Sequence, residues 1–299
     1  MSTSGESSSE EKNAGPPVKK EETRLSGEES SVGDQPPGEH ISRTEPKDAE
    51  ALPQSAGNTA EPAAAEQQKV EALAPLLKTA FQERLAFDIY WAGIYVGSAV
   101  LDAVSSEDEV TITSRVRSAP VISAFYKVED FSESRIVGGV PAHFKIKQRE
   151  GKYRSDKETL FDFASKKITF LNHLKGTRDE HTVAEPPIWD VISGFYYLRT
   201  QTLEIGKPVY IDVFDSNKFI KVEVKVLAKE QAELPGGGDV ETIKVQPVLT
   251  TDGLFKKSGD IFIWLTNDER KIPVRVETKV PIGTVTAKLK SLDAGHANE

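Results

Sequence analysis

The sequence predicts a mostly β fold: an antiparallel β-barrel, or a strongly curved half-barrel, of about a dozen short strands with two short helices. Three observations carry this expectation. From Phe81 onward the apolar residues recur at every second position, which places them on one face of a strand. Clusters of Gly, Asn, Asp and Pro interrupt the alternation at hairpin spacing, the clearest being Pro235-Gly236-Gly237-Gly238-Asp239. Two segments, Pro120 to Lys127 and Pro187 to Arg199, break the alternation, each starting near a proline and carrying apolar residues at helical spacing. So many strands in one flat sheet would leave exposed edges and an uncovered apolar face, so the sheet is expected to curl.

In chain order, Leu85, Phe87, Ile89 and Trp91 form one face of a strand, Ala92-Gly93-Ile94 turns the chain, and Tyr95 to Val104 returns. Val110, Ile112 and Val116 alternate with Thr and Arg in the next strand. Val209, Ile211 and Val213 lead into a hairpin turn at Asp215-Ser216-Asn217-Lys218, and Ile220, Val222, Val224 and Val226 come back. Val240 to Val248 follows the glycine run. Ile261 to Leu265 is apolar at every position and reads as a central strand buried on both sides. Thr266 to Lys271 closes a hairpin onto Ile272, Val274, Val276 and Val280, and Val285, Ala287 and Leu289 make the last strand. The two helical segments match in five of six residues, Val121 to Tyr126 against Val191 to Tyr196, at an offset of 70. One six-residue match weighs less than the alternative of chance, so a duplication of two β-rich halves is the weaker reading. Either way, two aromatic helices are expected to cap the openings or fill the interior of the curved sheet.

Ahead of Phe81 there is no Phe, Trp or Tyr, and residues 1–75 hold 7 basic and 15 acidic residues, nearly all of the chain's net charge of −9. Such a segment buries too little apolar surface to offset the entropy of ordering it. The expected organisation is therefore a disordered acidic Ser/Pro/Glu-rich tail over 1–75, one β-rich domain over 81–292, and a disordered C-terminus over 293–299. A short helix is expected from Glu61 to Lys78, where Ala, Glu, Gln and Leu cluster. The tail itself reads as a tether, with a phosphorylated regulatory arm as the alternative.

Composition excludes several function classes. There is no cysteine, hence no disulfide scaffold, thiolate zinc site or cysteine nucleophile. No apolar run reaches the length of a transmembrane segment, and the acidic balance speaks against nucleic acid as a partner. The first residues lack a basic start followed by an apolar run, so no signal peptide is read and, taken literally, the chain begins in the cytoplasm.

Several stretches resemble the bacterial family called domain of unknown function 3108 (DUF3108). They are Glu83-Arg84-Leu85 running into Trp91-Ala92-Gly93 and Gly97; Phe125-Tyr126 with Val128 and Asp130; Asp190 through Arg199; and Ile263-Trp264-Leu265-Thr266 through Asp268, Arg270, Ile272 and Pro273. The last two are the more specific. The resemblance spans about Phe81 to Leu292. It implies a mostly β fold, usually exported to the bacterial periplasm or cell envelope, with no established activity and so no catalytic residue to carry over.

The side-chain chemistry adds little to that. Of the five histidines, His40 and His296 lie in tails, and His173 and His181 fall in what reads as a polar loop without paired metal-ligand spacing. No catalytic residue, metal site or cofactor is assigned. Asp190, just before the second helix, is expected to cap it. Arg199 suits the helix's negative end, with pairing to Asp268 or an anionic ligand as alternatives. Trp91, Trp189, Trp264, Tyr196 and Tyr197, with Arg199, are the candidate ligand-binding residues. The function expected is a non-catalytic binding or assembly protein of the envelope, holding a lipid, glycan or peptide, or recruiting an envelope-protein partner. The alternative is a hydrolase or transferase built on Asp190, Asp268 and Arg199.

Overall fold

The computed structural model describes residues 81–106, 108–185, 187–249, 260–280 and 283–296. The expected tail and the helix expected from Glu61 to Lys78 lie outside the described residues. The described strands are β1 (Phe81–Trp91), β2 (Ile94–Ser106), β3 (Glu109–Ser118), β4 (Glu129–Val137), β5 (Val140–Glu150), β6 (Tyr153–Asp162), β7 (Lys167–Asn172) and β8 (Thr177–Thr182), followed by β9 (Val209–Asp215), β10 (Lys218–Glu233), β11 (Asp239–Leu249), β12 (Ile261–Thr266), β13 (Pro273–Val280) and β14 (Gly283–His296). Helix α1 (Pro120–Ser123) joins β3 to β4, and α2 (Val191–Thr200) lies between β8 and β9. All the strands belong to one antiparallel sheet in the order β8-β7-β6-β5-β4-β3-β2-β1-β14-β13-β12-β11-β10-β9. The fold is mostly β, as expected, and the sheet is not closed by a backbone ladder: β8 and β9 are its edges.

The turns follow from local chemistry. Two-residue hairpins that match strand twist need positive φ at both central residues. Ala92 and Gly93 supply φ of 48° and 84°, and Ser216 and Asn217 supply 47° and 71°. Strand β12 is buried on both sides, as its sequence predicts: Ile263 and Leu265 pack in one cluster with α2, and Trp264 in another with Leu85, Phe87 and Val274.

Three elements depart from the sequence reading. Residues 129–182, for which the alternation assigns no individual strand, form β4 to β8; the pattern is weak there because β4 to β7 each bury only one or two apolar residues, such as Ile136, Phe144, Phe161 and Ile168, and β8 buries none. The segment read as a polar loop contains β8, an exposed edge strand whose six residues are all polar. A charged edge is what keeps an unpaired ladder from recruiting other strands. At the C-terminus, β14 continues to His296 and pairs there with Phe81, so the domain reaches past Leu292.

Helix α2 fills the interior. Tyr196, Tyr197 and Leu198 are buried in the largest cluster with Ile211, Val213, Val245 and Leu265, each worth about 1.5–3 kcal/mol of burial. The helix also stands where the sheet fails to close. Trp189 pairs in parallel with Val213 on β9, its N–H donating to the Asp212 carbonyl at 2.9 Å and its carbonyl accepting from the Phe214 N–H at 2.8 Å. Side chains stitch the rest of the seam. Asn217 Oδ1 lies 2.6 Å from His181 Nε2 on β8, Asn217 Nδ2 donates to Asp179 at 3.1 Å, and Lys157 donates to Ser216 at 3.1 Å.

The two matching hexapeptides have opposite fates. Phe125 and Tyr126 of the α1 segment are 89% and 51% exposed, whereas Tyr196 of α2 is 1% exposed. One helix caps a rim and the other plugs the core.

Candidate functional site

Five of the six candidate ligand-binding residues do not face an open site. Trp189, Tyr196, Tyr197, Arg199 and Trp264 are all below a tenth exposed. Their burial has a physical reason in each case. Trp189 stacks on Tyr197, ring centroids 4.7 Å apart, inside the cluster that α2 plugs. Trp264 donates its indole N–H to Glu230 at 2.6 Å and is covered by the Arg275 guanidinium 3.6 Å above the ring.

Arg199 and Tyr196 belong to a buried polar cluster that the sequence reading missed. Arg199 Nη1 and Nη2 each donate to a Glu83 carboxylate oxygen at 2.8 Å, the Tyr196 hydroxyl donates to Glu83 at 3.1 Å, and the Arg270 carbonyl accepts from Arg199 Nε at 3.2 Å. Burial pushes the Glu83 carboxyl up, but the Arg199 hydrogen bonds and charge, with help from Tyr196 and Arg270, outweigh it and hold it below the usual glutamate range. Burial drives the Tyr196 hydroxyl well above the ordinary tyrosine range. Glu83 was legible as an anomaly, being an acidic residue on the same alternating face as Leu85 and Phe87.

Asp190 caps α2, as expected. Its Oδ1 accepts from the Ile192 and Ser193 N–H groups at 2.9 and 3.0 Å, and its Oδ2 accepts from the Ser134 and Ser193 hydroxyls at 2.7 Å each. Complete burial still lifts its carboxyl above the usual aspartate range. Asp268 accepts from the Thr266 hydroxyl at 2.7 Å and from the Arg270 and Lys271 N–H groups, tying its own turn. Asp190 has no exposed surface and Arg199 is committed to Glu83, so neither presents a free group to a substrate.

Trp91 is the exception. It is 40% exposed and stands on an open cavity of about 760 Å3 where the β1–β2 hairpin, the β3–α1–β4 connection and the end of β5 meet. Ile89, Val96, Val116, Ile122, Val128 and Val285 form apolar walls, with Phe125 and Tyr126 beside Trp91. Local sequence builds this wall. Pro120 starts α1, where its fixed φ suits the first turn. The Ser118 hydroxyl lies 2.7 Å from that of Ser123 and accepts the Val128 N–H at 2.9 Å, pinning both ends of the connection. Gly97 lets β2 and β3 approach, since a Cβ there would lie 2.3 Å from the Arg117 carbonyl oxygen. Tyr126 lies over Gly151, where a Cβ would meet its ring at 2.5 Å. The polar groups at the cavity are few: Arg117, Ser118, Asp130 and Glu150. Burial and the adjacent Asp130 carboxylate hold the Glu150 carboxyl above the usual glutamate range.

A second cavity, about 380 Å3, lies between the β10–β11 hairpin and β13, β14 and β1. Its lining charges include the ion pair of Lys290 and Asp88 at 3.1 Å. Among the described residues no group of His, Asp and Glu is disposed to hold a metal ion, and no helix is long and apolar enough to cross a membrane.

Comparison with solved structures places the fold among barrel-like β proteins. The β-barrel-like protein of domain of unknown function DUF1849 from Brucella abortus aligns with a TM-score of 0.51 at 11% identity, covering 74% of this chain and 99% of that one. A putative exported protein with a YmcC-like fold from Bacteroides fragilis aligns at a TM-score of 0.30 and 9% identity, over 71% of this chain and 95% of that one. A DUF1329 family protein from Desulfovibrio piger aligns at 0.21 and 8% identity, over 79% and 92%. No curated protein matches the chain. With the Asp190–Arg199 and Ile263–Pro273 motifs placed in α2 and in the β12–β13 hairpin, and with the family described as Protein of unknown function (DUF3108) matching residues 86–290, the chain belongs to that family.

Proposed function

We propose that the domain is a non-catalytic binding protein that holds an apolar chain, the acyl chain of a lipid, in the cavity beneath α1. The observation that carries this is the cavity itself: it is open, its walls are aliphatic and aromatic, and its volume of about 760 Å3 falls within the roughly 300–1,000 Å3 of small-molecule sites. A glycan would need convergent hydrogen-bonding groups, and the walls supply few. The same reading puts the domain in the bacterial periplasm or cell envelope, where lipids are handled between membranes. N-terminal sequencing of the native protein tests the compartment.

The binding test uses the full chain after delipidation. Titration with palmitate is expected to saturate at one equivalent. Val116→Trp, which fills the cavity from β3, is expected to weaken binding more than about tenfold, because an indole displaces the ligand from well-packed walls. Absence of saturable palmitate binding, or equal binding by the two proteins at matched thermal stability, overturns the proposal.

A further inference from the structure

The rim around the cavity differs from the rest of the surface. In an antiparallel meander the odd-numbered strands all finish at one end of the sheet, and the register of β1 with both β2 and β14 puts the β1–β2 turn beside the start of β14 there. Four of the connections at this end carry large exposed apolar residues, Leu174 marking the β7–β8 turn at 59% exposed. Ile94 and Tyr95 are 64% and 45% exposed at the β1–β2 turn, Val121 and Phe125 are 74% and 89% exposed on the α1 connection, and Tyr153 is 51% exposed at the β5–β6 turn. Large apolar residues gathered at one end of a fold and exposed there mark interaction surfaces.

Charge at the same end has one sign in excess. Arg117, Lys127, Arg149, Lys152 and Arg154 stand against Glu129, Asp130 and Glu150, although the chain as a whole carries −9. Arg149, Lys152 and Arg154 are exposed. Arg154 donates to the Gly151 and Tyr153 carbonyls and so braces the β5–β6 turn. The opposite end has no such excess: its β2–β3 turn carries Asp108, and its β12–β13 turn balances Asp268 and Glu269 with Arg270 and Lys271. Aromatic residues interleaved with Lys and Arg are the chemistry of a surface that sits at the headgroup level of a bilayer. Basic side chains near anionic headgroups add attraction that fades with salt.

We propose that this aromatic, basic rim docks the domain on the surface of an anionic lipid bilayer, with Phe125, Val121 and Ile94 entering the interface and Arg149 and Lys152 facing the headgroups. The proposal rests on the acyl-chain reading of the cavity and supplies its source: the mouth beside Trp91 faces the membrane from which a chain is drawn. Docking is peripheral and reversible, since what the rim offers is the side chains of turns.

The test is flotation of the full chain with phosphatidylglycerol vesicles and with phosphatidylcholine vesicles, at low and at high salt, alongside tryptophan emission. Trp91 is 40% exposed, while Trp189 and Trp264 are each 2% exposed, so a blue shift on vesicle addition reports the rim. The expected result is a blue shift and co-flotation with phosphatidylglycerol, weakened by salt and at least about tenfold weaker with phosphatidylcholine. Phe125→Ser is expected to cost about tenfold in vesicle affinity. Arg149→Glu with Lys152→Glu is expected to cost at least as much while leaving palmitate titration in the absence of vesicles unchanged, since neither residue lines the cavity. No co-flotation, equal binding to both lipids, or insensitivity to both variants overturns the docking. So does sedimentation showing a self-associated species that Phe125→Ser dissolves, because a second copy then covers the rim. Loss of palmitate binding with vesicle docking intact sinks the cavity reading and leaves the docking standing.

Discussion

Replacing Glu83 by Gln gives the sharpest test of how the interior is held together. In the native domain Arg199 makes two parallel hydrogen bonds of 2.8 Å to the carboxylate, and both side chains are under a tenth exposed, at 8% and 7%. A glutamine offers one acceptor oxygen, and its amide N–H groups face a guanidinium N–H. One charge-assisted bond is lost, the other is weakened, and the Arg199 charge stays buried with only the Arg270 carbonyl and the Tyr196 ring, 4.7 Å away, to compensate it. Removing one partner of a buried pair costs about 3–5 kcal/mol, a large part of the roughly 5–15 kcal/mol of a typical domain. Urea unfolding followed by tryptophan emission reads this out, because Trp189 and Trp264 are buried. The midpoint is expected to fall with the slope unchanged. Glu83→Met with Arg199→Met removes the orphaned charge and is expected to be less destabilised than Glu83→Gln alone. The pH dependence has a definite sign. A carboxyl whose folded pKa is depressed stabilises the fold above its unfolded value, near 4.5, and loses that contribution as pH falls toward the folded value. The acid limb is therefore expected to be shallower in Glu83→Gln. A midpoint change worth less than about 1 kcal/mol, or a double variant no better than the single, refutes the reasoning.

Two further outcomes separate structure from chemistry. Asp190→Ala removes a helix cap and takes the carboxylate acceptor from the Ser134 and Ser193 hydroxyls, for an expected loss of about 2–4 kcal/mol in urea unfolding. Asp190→Asn keeps an acceptor for the two N–H groups and drops a charge that burial disfavours, so it is expected to stay within about 1 kcal/mol of wild type. Gly97→Ala places a methyl group 2.3 Å from the Arg117 carbonyl oxygen. Thermal unfolding is expected to show a loss of about 1–3 kcal/mol, and palmitate affinity is expected to fall as β2 and β3 part at the cavity floor.

Much of the architecture was legible before any coordinates. The Asp215–Lys218 turn, the doubly buried strand at Ile261–Leu265 and the cap at Asp190 all rest on local rules, namely turn φ, continuous apolarity and N-terminal capping. What failed was anything decided by long-range packing. The hexapeptides at Val121 and Val191 are nearly identical, yet one is exposed at a rim and the other lies within the core. No local rule distinguishes them, because burial depends on which strands surround each. The tryptophans illustrate the same limit. Trp91 ends its strand at a turn and is half-exposed, whereas Trp264 sits mid-strand beneath Arg275. Partners distant in the chain, such as Glu83 for Arg199, are set by sheet order, which spacing alone does not reveal.

The pairing of β1 with β14 sets the order of assembly. The neighbour of the first strand on one side is the last to be synthesised, so an emerging chain has an exposed ladder edge on β1 until almost the whole domain is made. The halves on either side of α2 can each zip as a meander, but the ladder that joins them is that terminal one, with the short Trp189–Val213 bridge beside α2. Acquisition of native structure is therefore late and dominated by contacts remote along the polypeptide, the regime of slow folders. A nascent chain of this kind stays pliable for longer than a helical bundle of equal length, and a chaperone that shields the first hairpin would be acting on the edge most in need of cover.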